Sequence, residues 1–308
     1  MLKKVLTAIA IISLFTSPAL SETLEVIKAT TAPTIDGVDE GAWATAPVLA
    51  VAVSQIPDKI VDVNKEKQTG KYAQNWTKTK PNDTHEVKLK AMYSGDMIYF
   101  QAQWADSTMD DQHKPFKWEG DKADGEYVNG KEREDRLALQ FPISGDFNSN
   151  MLAEASSVID MWQWKAARTN AAGVIHDKHH LRSTSPLSGK FSTHYSAGGK
   201  EVYLARKNDG GESPYKSNKI DPFVYQGDVI AQYIPYVPAA ADAADVQAKG
   251  AWKDGIWTVE IARKLDTGNH ETDTIFDPAK PTQMAIAVFD KAGDHFHAIS
   301  NEIDVLFK

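Results

Sequence analysis

Five of the nine histidines fall in two short stretches, and these are the first places where the chain could hold a metal. His176, His179 and His180 occur in HDKHH, and His295 and His297 in DHFHAIS. Two imidazoles at i and i+3 or i+4 grip a transition ion when the backbone is helical. Gly173 and the Asp177–Lys178 pair instead predict a solvated loop. In the second stretch, strand alternation turns His295 and His297 the same way, opposite Phe296 and Ala298. Met151 lies in an expected loop, Asn148 to Ser157. Its thioether is gap filler in most settings and a ligand for a soft metal or haem iron in a few. VIDMWQWKAAR over 158–168 reads as a strand, with Trp162 and Trp164 on one face and Met161, Gln163 and Lys165 on the other. Such a tryptophan pair is more often sheet packing than a binding platform.

Other chemistries are excluded by what the sequence lacks. Without cysteine there is no disulfide framework, thiol nucleophile, iron–sulfur cluster or covalently attached c-type haem. G-x-S-x-G, H-E-x-x-H and a phosphate loop are all missing, and no pair of carboxylates has a spacing that singles it out for acid–base work. The formal charge of −8 argues against nucleic acid as a partner.

The elements that must position these residues are mostly strands. Residues 87–93 and 98–104 alternate apolar and polar around Ser94-Gly95-Asp96, a hairpin with one apolar face. Residues 250–262 repeat the pattern around Lys253-Asp254-Gly255. Leu137–Phe141 and Ala285–Phe289 are short apolar runs suited to strands buried on both sides. Helical signals are confined to 39–46 and 238–246. In 33–43, Gly37 permits a turn, Asp36 caps it and Trp43 packs. Segments 55–84 and 187–221 are polar and read as surface insertions. The fold class is therefore all-β, a two-sheet sandwich of immunoglobulin-like or family 9 carbohydrate-module-like type, with loop insertions and a few short helices.

Residues 1–21 read as a secretory signal peptide. Lys3 and Lys4 precede an apolar run from Val5 to Phe15, Pro18 ends it, and small residues lead to cleavage near Ser21. The run is shorter than the roughly 20 residues a bilayer needs, so no membrane span is expected in the mature chain. Residues 22–308 are expected to form a single domain in the periplasm.

Six segments together resemble the haem-binding domain typified by the gamma subunit of ethylbenzene dehydrogenase, found with type II dimethyl sulfoxide reductase-family enzymes. They are PTIDGVDEGAW (33–43), VKLKAMYSGDMIYFQAQWADST (87–108), EDRLALQFPI (134–143), DMWQWKAAR (160–168), GIWTVEIARKL (255–265) and IAVFDKAGDHFHAIS (286–300). EDR-x-A-x-x-FP together with D-x-W-x-WKA carries most of the specificity.

The resemblance implies one non-covalent haem b, two axial ligands and electron relay without substrate chemistry, so the chain is not itself expected to be an enzyme. The family's Met maps onto Met151. Its Lys slot falls at His297, giving a Met/His pair, with His295, His179, His180 and Met161 as substitutes. Trp162 and Trp164 would wall the porphyrin, and Lys165 and Arg168 would pair with its propionates. The implied partner is a redox protein: a molybdenum enzyme's catalytic and iron–sulfur subunits, or a membrane quinol-linked cytochrome. Two other functions suit the same fold: a secreted family 9-like carbohydrate-binding module, stacking sugars on Trp162/Trp164 or Trp252/Trp257, and a haem-free scaffold subunit.

Overall fold

The computed structural model describes residues 22–39, 41–53, 85–151, 153, 155–188, 192–197, 200–237, 242–292 and 297–308. The expected leader, the whole 55–84 insertion and His295 lie outside the described residues. The chain first runs through β1 (Glu22–Lys28), β2 (Leu49–Val53), β3 (His85–Ser94), β4 (Met97–Ala105), β5 (Phe116–Glu119) and β6 (Glu126–Asn129). There follow β7 (Arg136–Gly145), β8 (Ser157–Lys165), β9 (His176–Ser183), β10 (Ser192–Ala197), β11 (Lys200–Asn208), β12 (Tyr215–Ser217), β13 (Val229–Ile230) and β14 (Tyr233–Pro235). The last five are β15 (Gln247–Lys253), β16 (Ile256–Lys264), β17 (Thr282–Phe289), β18 (Ala298–Ile299) and β19 (Ile303–Phe307).

Twelve strands form one hydrogen-bonded path, β10-β11-β9-β8-β7-β17-β19-β1-β3-β4-β16-β15, with β18 beside β17 and β2 beside β3. The path becomes a sandwich at β17. Its residues 282–284 pair with β19, whereas 285–289 pair with β7, so one strand serves both layers. Both predicted hairpins form, β3–β4 and β15–β16. Alternating residues of the two layers meet in the core, with Leu24, Val87, Phe100 and Trp104 from one side and Leu137, Phe141, Trp162 and Trp164 from the other. β7 and β17 are buried on both faces along most of their lengths, as their unbroken apolar runs require.

The turn at 33–43 shows how a polar group is used inside this core. Glu260 is buried, and its Oε2 accepts the amides of Asp36 and Gly37 at 3.1 and 2.9 Å. Its Oε1 accepts the Trp43 indole N–H at 2.7 Å. Gly37 has φ +82°, and a Cβ there would press on the Ala251 backbone nitrogen. The structural reading of this motif holds.

Three expectations change. HDKHH is not a solvated loop: it opens β9, and His176, Asp177 and His180 are buried. Its polar composition hid a strand hydrogen-bonded along both edges, to β8 and to β11. Segment 187–221 is not a simple excursion, because β10 and β11 extend the sheet beyond β9. The two helical signals yield only 3-10 turns, at Gly41–Thr45 and Asp242–Ala244.

Candidate functional site

Register decides which face each candidate occupies. Leu137, Leu139 and Phe141 lie opposite Trp164, Trp162 and Asp160 on the inner face, and Arg136, Ala138 and Gln140 lie opposite Lys165, Gln163 and Met161 on the outer face. The predicted split of the WQWK strand is therefore correct. The wall role for its tryptophans is not met. Trp162 has 0% exposure and is ringed by Phe100, Phe141 and Phe276, and Trp164, also 0% exposed, packs on Trp104 and Trp257. A porphyrin could reach either ring only by emptying the main core. Trp252 and Trp257 form no sugar platform either, since Trp257 is buried and the half-buried Trp252 donates its indole N–H to the Asp106 carbonyl.

On the outer face lies a second, smaller apolar cluster: Ala138, Met161, Ala287, Phe289, Ala292 and Ile299. Register makes it contiguous, because Ile299, Ala287 and Ala138 stand opposite one another on β18, β17 and β7. Half of its members are alanines, so its floor is shallow. At one end the His297 imidazole stacks on Phe289, with ring centroids 4.3 Å apart.

At the other end runs the loop bearing Met151. Arg182 on β9 donates to the carbonyls of Asp146 and Asn150, both at 2.7 Å, and Gln140 donates to the Ser149 carbonyl at 2.9 Å. Ser149 N–H in turn reaches Glu302 Oε1 at 2.7 Å. These bonds draw the loop back across the outer face. From Arg136, beside Phe289, to Gln140, below the loop, is four residues of β7, or about 13 Å.

The EDR triplet positions this end of the sheet. Glu134 Oε1 accepts Arg168 Nε at 2.5 Å, and its Oε2 accepts the amides of Ala167 and Arg168. Arg136 lies over the Phe289 ring and donates to the Ala292 carbonyl at 2.7 Å. Asp135 accepts the Lys291 amide on Oδ1, and the Asp110 amide and the Trp257 indole on Oδ2. Burial still pushes Asp135 up to about 7, ahead of the lowering by these three donors. The folded carboxyl thus binds a proton more tightly than the unfolded one, and this group adds stability as pH falls from about 7 towards 4. Asp135→Asn is expected to turn an NH2 against one of the three donors and cost about 1–3 kcal/mol at pH 7. Denaturant unfolding from pH 4 to 8 should also show a flatter profile than the wild type; an unchanged slope would dismiss the raised Asp135 carboxyl as its source.

Lys165 and Arg168 were both expected to bind an anionic ligand. Arg168 is committed to Glu134. Lys165 is buried on the outer face, donates to His176 Nδ1 at 2.7 Å and lies 5.0 Å from the Tyr215 ring. Among the described residues no carboxylate is paired with it. Burial, then neighbouring Arg168 and Lys178, push its pKa well below the usual lysine range. Lys178, Arg182 and Arg206 line the same face, and Lys178 is lowered to about 8, first by burial and then by Arg206 and Arg168. This face is short of negative charge.

The substitute ligands separate in space. His179 points inward and bonds Asp209. Met161 belongs to the small apolar cluster. His180 is buried on the outer face with neither ring nitrogen hydrogen-bonded, and burial holds it neutral. It stands opposite Ile159, itself opposite Pro142, three strand spacings and six residues away from Phe289, or roughly 20 Å or more. His180 and His297 therefore cannot ligate one iron together. Gln140 and Arg182 escaped the sequence reading because their roles depend on the Met151 loop folding back, and Arg136 because its role depends on β17 bringing Phe289 beside β7.

The sequence profile of the ethylbenzene dehydrogenase family matches residues 40–300. No curated protein sequence matches the chain. Among solved structures, a Bacteroides uniformis protein provisionally described as carbohydrate-binding shares 8% identity at a TM-score of 0.39, covering 94% of this chain and 100% of its own. A family 9 carbohydrate-binding module from Caldicellulosiruptor kristjanssonii, solved with glucose, shares 9% identity at a TM-score of 0.36, covering 92% of this chain and 95% of its own. At these TM-scores the likenesses carry no weight for what this chain binds.

Proposed function

Because the chain belongs to the ethylbenzene dehydrogenase family, we propose that it is a gamma-like subunit holding one haem b and relaying electrons in the periplasm, after removal of residues 1–21. The observation that carries this reading is the apolar outer-face cluster with His297 at one end and the Met151 loop at the other. The residues suit the group. Ala138, Ala287 and Ala292 leave a shallow apolar floor, and the buried Lys165 amine, with no carboxylate paired to it among the described residues, offers a donor to a propionate.

Met151 and His297 would hold the haem iron. Bound by a thioether and an imidazole, the haem would supply outer-sphere electron transfer, with the soft sulfur favouring its ferrous state. The protein's own work is to keep His297 against Phe289, hold the Met151 loop through Arg182 and Gln140, and keep water off the cluster. The catalytic and iron–sulfur subunits of a molybdenum enzyme, or a membrane quinol-linked cytochrome, would be the electron partners, and the acidic chain would favour a basic docking face.

The test is a dithionite-reduced minus oxidised visible spectrum of the mature chain purified from haem-replete cells. Sharp α and β bands from an extractable haem are expected. A featureless spectrum that haem titration leaves unchanged would reject the reading in favour of a haem-free scaffold.

A further inference from the structure

Behind the outer face, on the inner side of β9, three aspartates converge from distant parts of the chain. Asp177 comes from β9, Asp209 follows β11, and Asp273 lies between β16 and β17. Their exposures are 0%, 3% and 2%. One carboxylate oxygen from each lies within 4.8 Å of the others.

The two oxygens of each side chain have separate tasks. One is held by the protein: Asp177 Oδ1 accepts the Lys178 amide, Asp209 Oδ1 meets the His179 Nδ1, and Asp273 Oδ2 accepts the Thr267 hydroxyl. The other, Asp177 Oδ2, Asp209 Oδ2 or Asp273 Oδ1, is buried and meets no N–H or hydroxyl donor among the described residues. Buried polar atoms are paired in the great majority of cases, so three orphan acceptors in one place call for a ligand.

Charge points the same way. Arg263 is a buried cation that acts on Asp177, and it is engaged by Asp160 at 2.7 Å and by the Thr274 carbonyl. His179 can offset Asp209 alone. Among the described residues no cation is paired with Asp177 or Asp273, and ionising a buried carboxylate without one costs several kcal/mol.

We propose that Asp177, Asp209 and Asp273 bind one calcium ion that clamps β9 and the end of β11 to the segment between β16 and β17. The donors are all hard carboxylate oxygens, which suits calcium or magnesium rather than a softer metal. Three carboxylates favour calcium, since magnesium sites keep more water and use one or two. Ligands at about 2.3–2.6 Å from one calcium can stand up to about 5 Å apart, so the spacing accepts the ion without moving the backbone. Asp245, exposed next to Asp177, marks a path from solvent and could complete the ligand shell through water.

The inference is independent of haem and is tested on the full chain as purified, after chelator treatment and desalting. Equilibrium dialysis against calcium is expected to show one ion bound per chain, and calcium at millimolar concentration to raise the unfolding temperature by several degrees. Equal concentrations of magnesium should do much less. Asp273→Asn should abolish the calcium-dependent rise, whereas Asp277→Asn, at a partly exposed carboxylate paired with Lys280, should keep it. If Asp273→Asn fails to fold, dialysis of the wild type still decides. Absence of bound calcium with no shift in unfolding temperature would overturn the site and leave a shared-proton carboxyl cluster. A rise that persists in Asp273→Asn would equally overturn it.

Discussion

His297→Ala is expected to convert the ferrous protein from six-coordinate low-spin to five-coordinate, with collapse of the sharp α band. His297 is half-buried and its stacking partner Phe289 is held from its other side by Arg136, so truncation should cost about 1 kcal/mol of stability. Loss of the spectrum with the fold intact identifies a ligand, because a purely structural defect would move both together. His180→Ala provides the comparison. Its ring lies on the same face but too far from His297 to share an iron, so it should leave the spectrum unchanged. If instead His180→Ala collapses the band and His297→Ala does not, the ligand lies on β9, close to the Arg182 that holds the Met151 loop. Added imidazole should restore the low-spin spectrum only in the variant that has lost a ligand.

Trp164→Ala is expected to destabilise the fold by about 3–5 kcal/mol, read from urea unfolding. Its ring fills the centre of the sandwich against Trp104 and Trp257, and its indole N–H donates to Asn170 Oδ1 at 3.1 Å. The fit is close enough that a Cβ on Gly250 would collide with the indole, so Gly250→Ala should also destabilise, through overpacking rather than a cavity. Trp164→Phe, which keeps part of the ring, should fall between wild type and Ala. If Trp164→Ala were to unfold like wild type and yet lose haem, the ring would be a cofactor wall after all, and the aromatic core would carry less of the stability than its burial implies.

Both results would follow from a division already visible in the chain's periodicity. Period-two alternation in VIDMWQWKAAR separates Trp162 and Trp164 from Met161 and Lys165, and the apolar runs at 137–141 and 285–289 specify strands covered on both faces. The hairpins at 94–96 and 253–255 are equally local, since Gly95 and Gly255 supply the positive φ that tight turns need. What alternation cannot say is which face turns inward, or what covers the other. HDKHH shows the cost: its polar letters suggested a loop, yet β9 lies between β8 and β11 and buries His176, Asp177 and His180.

The sequence by itself therefore determined the all-β class, the main hairpins, the family and the stretches where ligands could lie. Tertiary structure alone decided that the tryptophans belong to the core, that Arg168 is spent on Glu134, and that Lys165 has no carboxylate partner among the described residues. It also brought Asp177, Asp209 and Asp273 to one point from three separate segments. The physical reason is that strand periodicity is a short-range property of the backbone. Contacts among residues 138, 161, 287 and 299, or among 177, 209 and 273, instead depend on strand order and on β17 crossing between layers, which only the balance of burial over the whole chain selects.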